Sequence, residues 1–315
     1  MYAEKISAAA SAIEENIRKV IFGKDEQIRF LLTALFCRGH VLLDDIPGTG
    51  KTTLAKALAR SVSADCKRIQ FTPDLLPSDV TGINYFNQKT SEFVFRPGPV
   101  FTNILIADEI NRTTPRTQSA LLECMGETQA SIDGVTYPLE KPFLVIATQN
   151  PIESQGTFPL PEAQTDRFFM KLSLGYPDAA SERAILTEYN AVSPLESLAP
   201  VCTKADIEDV CRTVPSILVS DRIKDYIVAI AAATRENERL RLGVSPRATL
   251  AMMRASQAYA AISGRDYVLP DDVKKIAVPV LAHRVISRSQ STLRLADSNE
   301  IIIGYIVDTV PAPIE

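Results

Sequence analysis

The sequence has no tryptophan and only two histidines, His40 and His283. So few histidines argue against a histidine-rich metal site, and His40, beside an apolar run, is predicted to be structural. The five cysteines are odd in number, and none of them forms a CxxC pair. This pattern indicates neither a disulfide framework nor a zinc site, so we expect most of the thiols to be buried as small apolar groups.

The chain also lacks a long apolar run and an excess of basic residues. No stretch approaches the length of a membrane span. Residues 8–12 are alanine-rich like a signal peptide, but Glu14, Glu15 and Arg18 interrupt them, which favours an amphipathic helix. The net charge of -4 argues against a protein that mainly grips nucleic acid. We therefore predict a cytoplasmic protein without a membrane span.

What is present is the composition of a globular protein of about two domains, with 46% hydrophobic and 23% charged residues in 315. Within it, one stretch has the order strand, glycine turn, helix: residues 41–43 are apolar, and a helical run begins near Leu54. Backbone N–H groups of such a turn point at phosphates, and the helix dipole favours their negative charge.

This turn predicts a nucleotide phosphate site. We expect Lys51 to reach the β- and γ-phosphates and the Thr52 hydroxyl to bind Mg²⁺, with an ordinary strand-turn-helix as the alternative. Asp45 stands where the usual pattern has its first glycine, although Gly48 and Gly50 still supply the tight turn. The predicted nucleotide-binding residues of the turn are Asp45, Pro47, Gly48, Thr49, Gly50, Lys51, Thr52 and Thr53.

Two helical runs precede this turn, at residues 4–19 and 25–38, and a short apolar break separates them. Ile21 and Phe22 lie in the break, ahead of the phosphate turn, where they could cover an adenine ring. Plain core packing of the two side chains is an equal alternative.

Polar residues follow two further apolar runs. Residues 104–107 predict a buried strand that ends in Asp108 and Glu109. At the carboxyl edge of an α/β sheet, Asp108 would hold Mg²⁺ and Glu109 would orient or deprotonate the attacking water. A third strand at residues 143–148 leads to Asn150, which could bind the γ-phosphate or the water; an Asn-Pro turn is the alternative.

Three stretches of this sequence resemble the MoxR family of AAA+ ATPases. They are residues 107–123, which begin Ala-Asp-Glu-Ile-Asn-Arg; residues 147–168, which begin Ala-Thr-Gln-Asn-Pro and end Asp-Arg-Phe; and residues 243–248, Gly-Val-Ser-Pro-Arg-Ala. The resemblance spans roughly residues 20 to 285, and its motifs are long and specific.

The resemblance implies roles for individual residues. Lys51 and Thr52 are similar to the Walker A pair, Asp108 and Glu109 to Walker B, and Asn150 to sensor 1. Together with ATP and Mg²⁺, these residues would carry out hydrolysis.

Arginines complete the implied site. Arg167 matches the arginine finger, which acts on a neighbouring subunit, and Arg247 matches sensor 2, which reaches from a small helical domain to the γ-phosphate. A surface salt bridge is the alternative for any lone arginine. Arg112 also falls in the family pattern, without an assigned role.

The resemblance further implies the architecture: an α/β AAA+ P-loop core with a parallel sheet and two inserted hairpins, followed by a small all-α lid. Residues 85–95 resemble the helix-2 insert, and residues 129–139, with Asp-Gly between alternating runs, resemble the pre-sensor-1 hairpin. We expect the core with its N-terminal helices at residues 1–195 and the lid at residues 196–315. For residues 294–310 we expect an edge strand or terminal packing.

The resulting functional prediction is a hexameric, Mg²⁺-dependent ATPase that remodels, assembles or activates a protein client. The resemblance implies that this client carries a von Willebrand factor A domain or receives a metal or cofactor. A chelatase-type motor subunit is the first alternative. A DNA-acting motor, which the acidic charge disfavours, and a nucleotide-gated scaffold that does not hydrolyse ATP are the others.

Overall fold

The computed structural model describes residues 2–46, 48–149, 157–189, 193–288 and 298–313. The strands are β1 (Val41–Asp44), β2 (Cys66–Gln70), β3 (Gly82–Asn87), β4 (Glu92–Pro97), β5 (Ile104–Asp108), β6 (Gln129–Ile132), β7 (Val135–Pro138), β8 (Leu144–Gln149), β9 (Met170–Leu172), β10 (Leu240–Leu242) and β11 (Ile286–Ser287). The α-helices are α1 (Tyr2–Arg18), α2 (Asp25–Phe36), α3 (Lys51–Ser61), α4 (Pro77–Thr81), α5 (Pro115–Glu127), α6 (Glu162–Thr165), α7 (Ala179–Glu188), α8 (Lys204–Thr213), α9 (Asp221–Glu236), α10 (Pro246–Ile262), α11 (Pro270–Leu281) and α12 (Asn299–Thr309).

A parallel sheet forms the centre of the molecule. In the described part of the chain it has five strands, in the order β2-β5-β8-β1-β9. All five carboxyl ends therefore lie at one edge, where α/β sheets bind ligands. The tip of β8 separates the tip of β1, which leads into the glycine turn, from the tip of β5, which carries Asp108.

Strands β1, β5 and β8 are mostly apolar because both faces of the sheet are covered there, whereas the edge strand β2 is largely exposed. Val41, Leu43 and Ile106 belong to one buried cluster with helices α1, α2 and α3. Leu42 and Leu105, which alternate with them, belong to a second cluster that includes α5 and β6. Apolar clusters thus cover both faces of the sheet, in agreement with the predicted α/β core.

The C-terminal helices begin where the sequence signals them. Thr203, Ser220 and Ser245 accept a hydrogen bond from the amide three residues on and so cap α8, α9 and α10. Pro270 opens α11. Helices α10 and α11 pack against α1, α2 and β9, so this lid shares one apolar cluster with the N-terminal helices. Strands β10 and β11 pair within the lid.

Both predicted hairpins are confirmed. Strands β3 and β4 pair antiparallel directly after the short helix α4, and β6 and β7 pair around Asp133 and Gly134. Asp133 and Gly134 have positive φ values of 50° and 81°, as a two-residue hairpin turn requires. Asn84 donates to the Asp133 carboxylate at 2.9 Å, which links the two hairpins.

The expected edge strand near the C-terminus is wrong. Residues 299–309 form helix α12, which Ser298 caps by accepting from the Ile301 amide. Ile302, Ile303, Ile306 and Val307 are buried at helical spacing. Terminal packing is therefore the correct one of the two expectations. A continuous apolar run does not by itself separate period 2 from period 3.6.

His40 is structural, as predicted, whereas the expectation that most thiols are buried is wrong, because Cys124 and Cys211 are buried and the other three are only partly buried. The His40 Nδ1 accepts from the Val145 amide at 3.0 Å, and its Nε2 donates to the Met125 carbonyl at 3.0 Å. Burial lowers the pKa of His40 to about 4, which keeps the ring neutral. All five thiols are free, and burial raises the pKa of the Cys211 thiol to about 12. Among the described residues, no helix is long and apolar enough to cross a membrane.

Candidate active site

The glycine turn lies between β1 and α3. Gly48 and Gly50 have φ values of 87° and 88°, in the left-handed region that glycine adopts without strain. A methyl group added at Gly48 would meet nothing within 4 Å. Lys51 is the first residue of α3, so the turn leads directly into the N-terminus of that helix. This backbone fits a chain of phosphates.

A cavity of about 240 Å³ adjoins the turn. Ile21 and Phe22 line it together with Gly48, Gly50 and Thr53. On the far side its wall is formed by Pro177, Ile185 and Tyr189, at and beside helix α7. The two side chains predicted to cover an adenine ring therefore do lie beside the phosphate turn, in a mostly apolar cavity suited to a flat ring.

Lys51 folds back onto its own loop. Its Nζ donates to the Asp45 carbonyl at 2.8 Å and to the Ile46 carbonyl at 3.1 Å. The Thr49 hydroxyl also donates to the Ile46 carbonyl, at 3.3 Å. These contacts keep the lysine beside the turn, where a rotation of its flexible side chain would bring the ammonium to a phosphate.

Asp45, the departure from the usual pattern, ties the turn to the segment after β9. Its buried carboxylate accepts from the Leu174 amide at 2.5 Å and from the Gly175 amide at 3.2 Å. The Ser173 hydroxyl lies 3.4 Å away. The side chain of Asp45 thus does not line the cavity. It fixes the start of the loop against the segment that leads to Pro177 on the cavity wall.

Asp108 and Glu109 occupy the tip of β5, and Thr148 of β8 holds both. The Thr148 hydroxyl donates to Asp108 Oδ1 at 3.2 Å and accepts from the Glu109 amide at 2.9 Å. Glu109 has φ 57°, a left-handed conformation that is uncommon for glutamate. Such strain persists where neighbouring bonds enforce it, and it concentrates at functional sites.

Each carboxylate also has a basic or amide partner. Arg68 Nε lies 2.5 Å from Asp108 Oδ2. Gln70 Nε2 donates to Glu109 Oε2 at 2.7 Å, and Arg112 Nε lies 3.0 Å from the same oxygen. Arg112, which had no predicted role, is thus placed beside the predicted catalytic carboxylate.

The sequence analysis did not single out Arg68, Gln70 or Thr148. Arg68 and Gln70 lie on β2, and only the strand order makes β2 the neighbour of β5. Thr148 was counted only as part of a strand. An alternation of apolar and polar residues does not show which strand tips meet.

Of the predicted arginines, Arg167 lies between α6 and β9, and Arg247 is the second residue of α10 in the lid. Arg167 follows α6, is exposed, and donates to the Leu122 carbonyl at 2.7 Å. Arg247, also exposed, is near enough to Arg284 for its charge to lower the pKa of that guanidinium. Neither arginine lines the cavity beside the glycine turn. Pro47 and Asn150 lie outside the described residues.

Magnesium fits the donor set at the sheet edge. In the described chain, no group of three or more His, Cys, Asp or Glu residues could hold a metal ion. Mg²⁺ is usually held by one or two protein oxygens together with nucleotide phosphates, rather than by a protein cage. The Thr52 hydroxyl at the start of α3 and the Asp108 carboxylate are hard oxygen donors of this kind.

Comparisons with known proteins agree with this architecture. The ATPase family associated with various cellular activities (AAA) matches residues 40–170, and the AAA lid domain matches residues 232–302. A putative ATPase from Cytophaga hutchinsonii has a solved structure that superposes with a TM-score of 0.91, at 37% identity over 99% of this chain and 97% of that one.

Whole-length relatives are also known. The uncharacterized protein YeaC of Bacillus subtilis is 48% identical over 100% of this chain and 98% of its own length. Chaperone MoxR1 of Mycobacterium tuberculosis is 39% identical over 99% of this chain and 85% of its own. Protein MoxR of Methylorubrum extorquens is 31% identical over 97% and 95%. With these relatives, this fold and this site, the chain belongs to the MoxR family of AAA+ ATPases.

Proposed function

We propose that the protein is a Mg²⁺-dependent ATP hydrolase that couples ATP binding and hydrolysis to the remodelling, assembly or activation of a protein client. The observation that carries this proposal is Thr148, whose hydroxyl holds both Asp108 and the strained Glu109 at the sheet edge that bears the glycine turn. Because one hydroxyl contacts both residues, the proposed metal ligand Asp108 and the proposed base Glu109 would keep a fixed position relative to each other.

The residues of the site would divide the work. The cavity beside Ile21 and Phe22 receives the base, and the turn and α3 receive the phosphates. Lys51 leaves the loop carbonyls to bind them, and Thr52 and Asp108 hold Mg²⁺. The bound ion neutralises negative charge on the phosphates. Glu109 orients or deprotonates the attacking water, and Asn150 binds the γ-phosphate or that water.

The proposal includes a ring, specifically a hexamer. Arg167 does not line the cavity of its own chain, so it would complete the site of an adjoining copy, whereas Arg247 would reach from the lid to the γ-phosphate. A relative is named as a chaperone, which supports a protein client. In this proposal the client carries a von Willebrand factor A domain or receives a metal or cofactor. The linked hairpins β3–β4 and β6–β7 would contact that client. The protein would work in the cytoplasm.

ATP hydrolysis per subunit, measured against protein concentration with Mg²⁺, tests the proposal. Activity that rises and then saturates is expected if the site is shared between copies. Lys51→Ala should lose nucleotide binding, whereas Glu109→Gln should bind ATP and not turn it over. Normal turnover by the Glu109 variant would contradict its assigned role. Activity that stays flat, with a monomer found by sizing, would contradict the shared site.

A further inference from the structure

Two consecutive lid residues, His283 and Arg284, hold the chain segment that carries Arg167. The Arg284 guanidinium donates through Nη2 to the Phe168 carbonyl at 2.7 Å, and its Nε lies 3.4 Å from the Asp166 carboxylate. The His283 Nε2 donates to the same Phe168 carbonyl at 3.0 Å. The residue after Arg167 is thus hydrogen-bonded to the lid, and the residue before it is ion-paired with the lid.

Helix α6, which precedes this segment, also contacts the lid. The Thr165 hydroxyl donates to the Glu162 carbonyl at 2.8 Å and lies 3.4 Å from the His283 carbonyl, so the end of α6 also contacts the lid. Arg167 itself uses Nη1 for the Leu122 carbonyl on α5. The Arg167 side chain itself stays exposed.

Arg284 is buried in an unusual way for a cation. Its side chain is 3% exposed, and burial lowers its pKa to about 10, although the Asp166 carboxylate opposes that change. A buried guanidinium is costly unless carboxylates and carbonyls satisfy it. The partners of Arg284 are the residues on either side of Arg167. Moving the lid away from this segment would therefore leave the buried guanidinium without its partners or expose it to solvent.

The same part of the lid also carries Arg247. Strand β11 starts two residues after Arg284 and pairs with β10, and β10 is followed directly by the residues that cap and open α10. The Arg288 amide donates to the Arg239 carbonyl at 2.8 Å, which strengthens this connection. A short bonded path therefore joins the start of α10, where Arg247 lies, to the segment of Arg167.

We propose that Arg284, assisted by His283, is a positioning residue that fixes Arg167 for the active site of an adjoining copy, so that the lid of one subunit controls hydrolysis in the next. This inference rests on the proposed function, in which Arg167 completes a neighbouring site. It adds a route by which a lid displacement is transmitted between copies without any change in the displaced subunit's own cavity.

Mixed rings test the proposal, because a positioning role and a purely structural role predict different results. Arg284→Gln alone should lower the saturating rate of ATP hydrolysis about 10-fold or more, since a misplaced finger forfeits part of its large contribution. Its affinity for a fluorescent ATP analogue should stay unchanged. Mixing it with Glu109→Gln, which lacks turnover and keeps a placed Arg167, should restore activity at roughly one quarter of all sites in a random ring.

Arg265→Gln is the matched control. Arg265 also forms a partly buried bidentate ion pair in the lid, with Asp272 at 2.5 and 2.6 Å, and the hydrogen bonds of its guanidinium stay within residues 265–272. Any loss that this variant causes through lid stability should not recover on mixing with Glu109→Gln. Arg284→Lys keeps the charge and removes the fork, and it takes the place of the glutamine variant if that one does not fold.

Mixing Arg167→Ala with Glu109→Gln tests the arginine finger separately from the positioning role of Arg284. Recovery by both the Arg167 and the Arg284 variants supports the positioning role. Recovery by the Arg167 variant alone overturns that role and leaves the finger intact. Recovery by neither overturns the finger and the positioning role together. A loss of nucleotide affinity in Arg284→Gln would also overturn it, because the effect would then lie in its own cavity.

Discussion

At the scale of single residues, Thr148 has the most specific role. One hydroxyl donates to Asp108 and accepts from the amide of Glu109, whose left-handed backbone would otherwise be unfavourable. Valine has the same shape as threonine but no hydroxyl. Replacing Thr148 with valine would therefore leave the Glu109 amide without its hydrogen-bond acceptor. An unpaired buried donor costs about 1–3 kcal/mol.

We therefore expect Thr148→Val to lower the rate of ATP hydrolysis by about 10-fold or more, which corresponds to about 1.4 kcal/mol. ATP affinity should change much less, because neither bond touches the glycine turn. Steady-state kinetics with a parallel ATP-binding titration measure both quantities. Thr148→Ser, which keeps the hydroxyl, is the control and should retain most of the rate. Equal losses in the two variants would contradict this role.

Asp45 gives the second residue-scale prediction. In Asp45→Asn, the new NH₂ group must compete with two backbone amides for position, so one of the bonds to Leu174 and Gly175 is lost. The loop and the cavity wall that begins at Pro177 would lose their common anchor. We expect ATP affinity to fall about 10-fold, as for one lost charge-assisted bond.

Asp44→Asn is the control for this prediction. Asp44 precedes Asp45 and forms an ion pair with Lys171 at 2.6 Å, so the same charge is removed one position earlier. Titration of each variant with a fluorescent ATP analogue should show the larger loss at Asp45. Equal affinities for Asp45→Asn and the unchanged protein would show that the tether does not support nucleotide binding.

At the scale of elements, the sequence predicts most strands and helices because local signals fix them. The Asp-Gly turn fixes one hairpin, and the capping residues Thr203, Ser220 and Ser245 fix three lid helices. The sequence does not predict the contacts between residues that lie far apart in the chain. The partners Arg68 and Gln70 follow from the strand order, and the contact between the lid and Arg167 follows from how the lid packs.

Helix α12 supplies the element-scale prediction, because the sequence also allowed an edge strand in this segment. In a strand, Ile301 and Ile303 would point to the same face and would have similar burial. In the helix, Ile303 is fully buried and Ile301 is 47% exposed. Ile303→Ala should therefore lower the free energy of unfolding by about 2–5 kcal/mol. Ile301→Ala should stay within about 0.5 kcal/mol. Equal losses, measured by urea unfolding, would contradict the helix.

At the scale of the whole molecule, the lid is a continuation of the core on one side of the sheet. Ile13, Leu32 and Leu54 of the N-terminal half share one apolar cluster with Ala255 and Ile276 of the lid. The domain division at residue 195 stays a prediction, but burial across it suggests that the two parts stabilise each other. The same packing brings the lid against the Arg167 segment, so stability and the proposed coupling depend on one interface.

The two histidines make the stability of the whole chain depend on pH. Burial lowers the pKa of His40 to about 4, and burial together with the charge of Arg284 lowers that of His283 to about 3. In the unfolded chain both should titrate near the ordinary value of 6.5. Below that value the unfolded state binds protons that the folded state refuses, so stability falls as the pH falls.

We expect the free energy of unfolding to fall by about 1.4 kcal/mol per pH unit for each histidine between the ordinary value and its lowered pKa. Urea unfolding at several pH values between 7.5 and 4.5 measures this slope. His40→Asn is less stable at every pH, but one titrating group is gone, so its slope should be smaller by one histidine's share. Carboxylates contribute equally to both proteins and cancel in the difference. Parallel slopes would mean that His40 is not held neutral by its bonds to Met125 and Val145, because only a ring kept neutral in the folded state produces the difference.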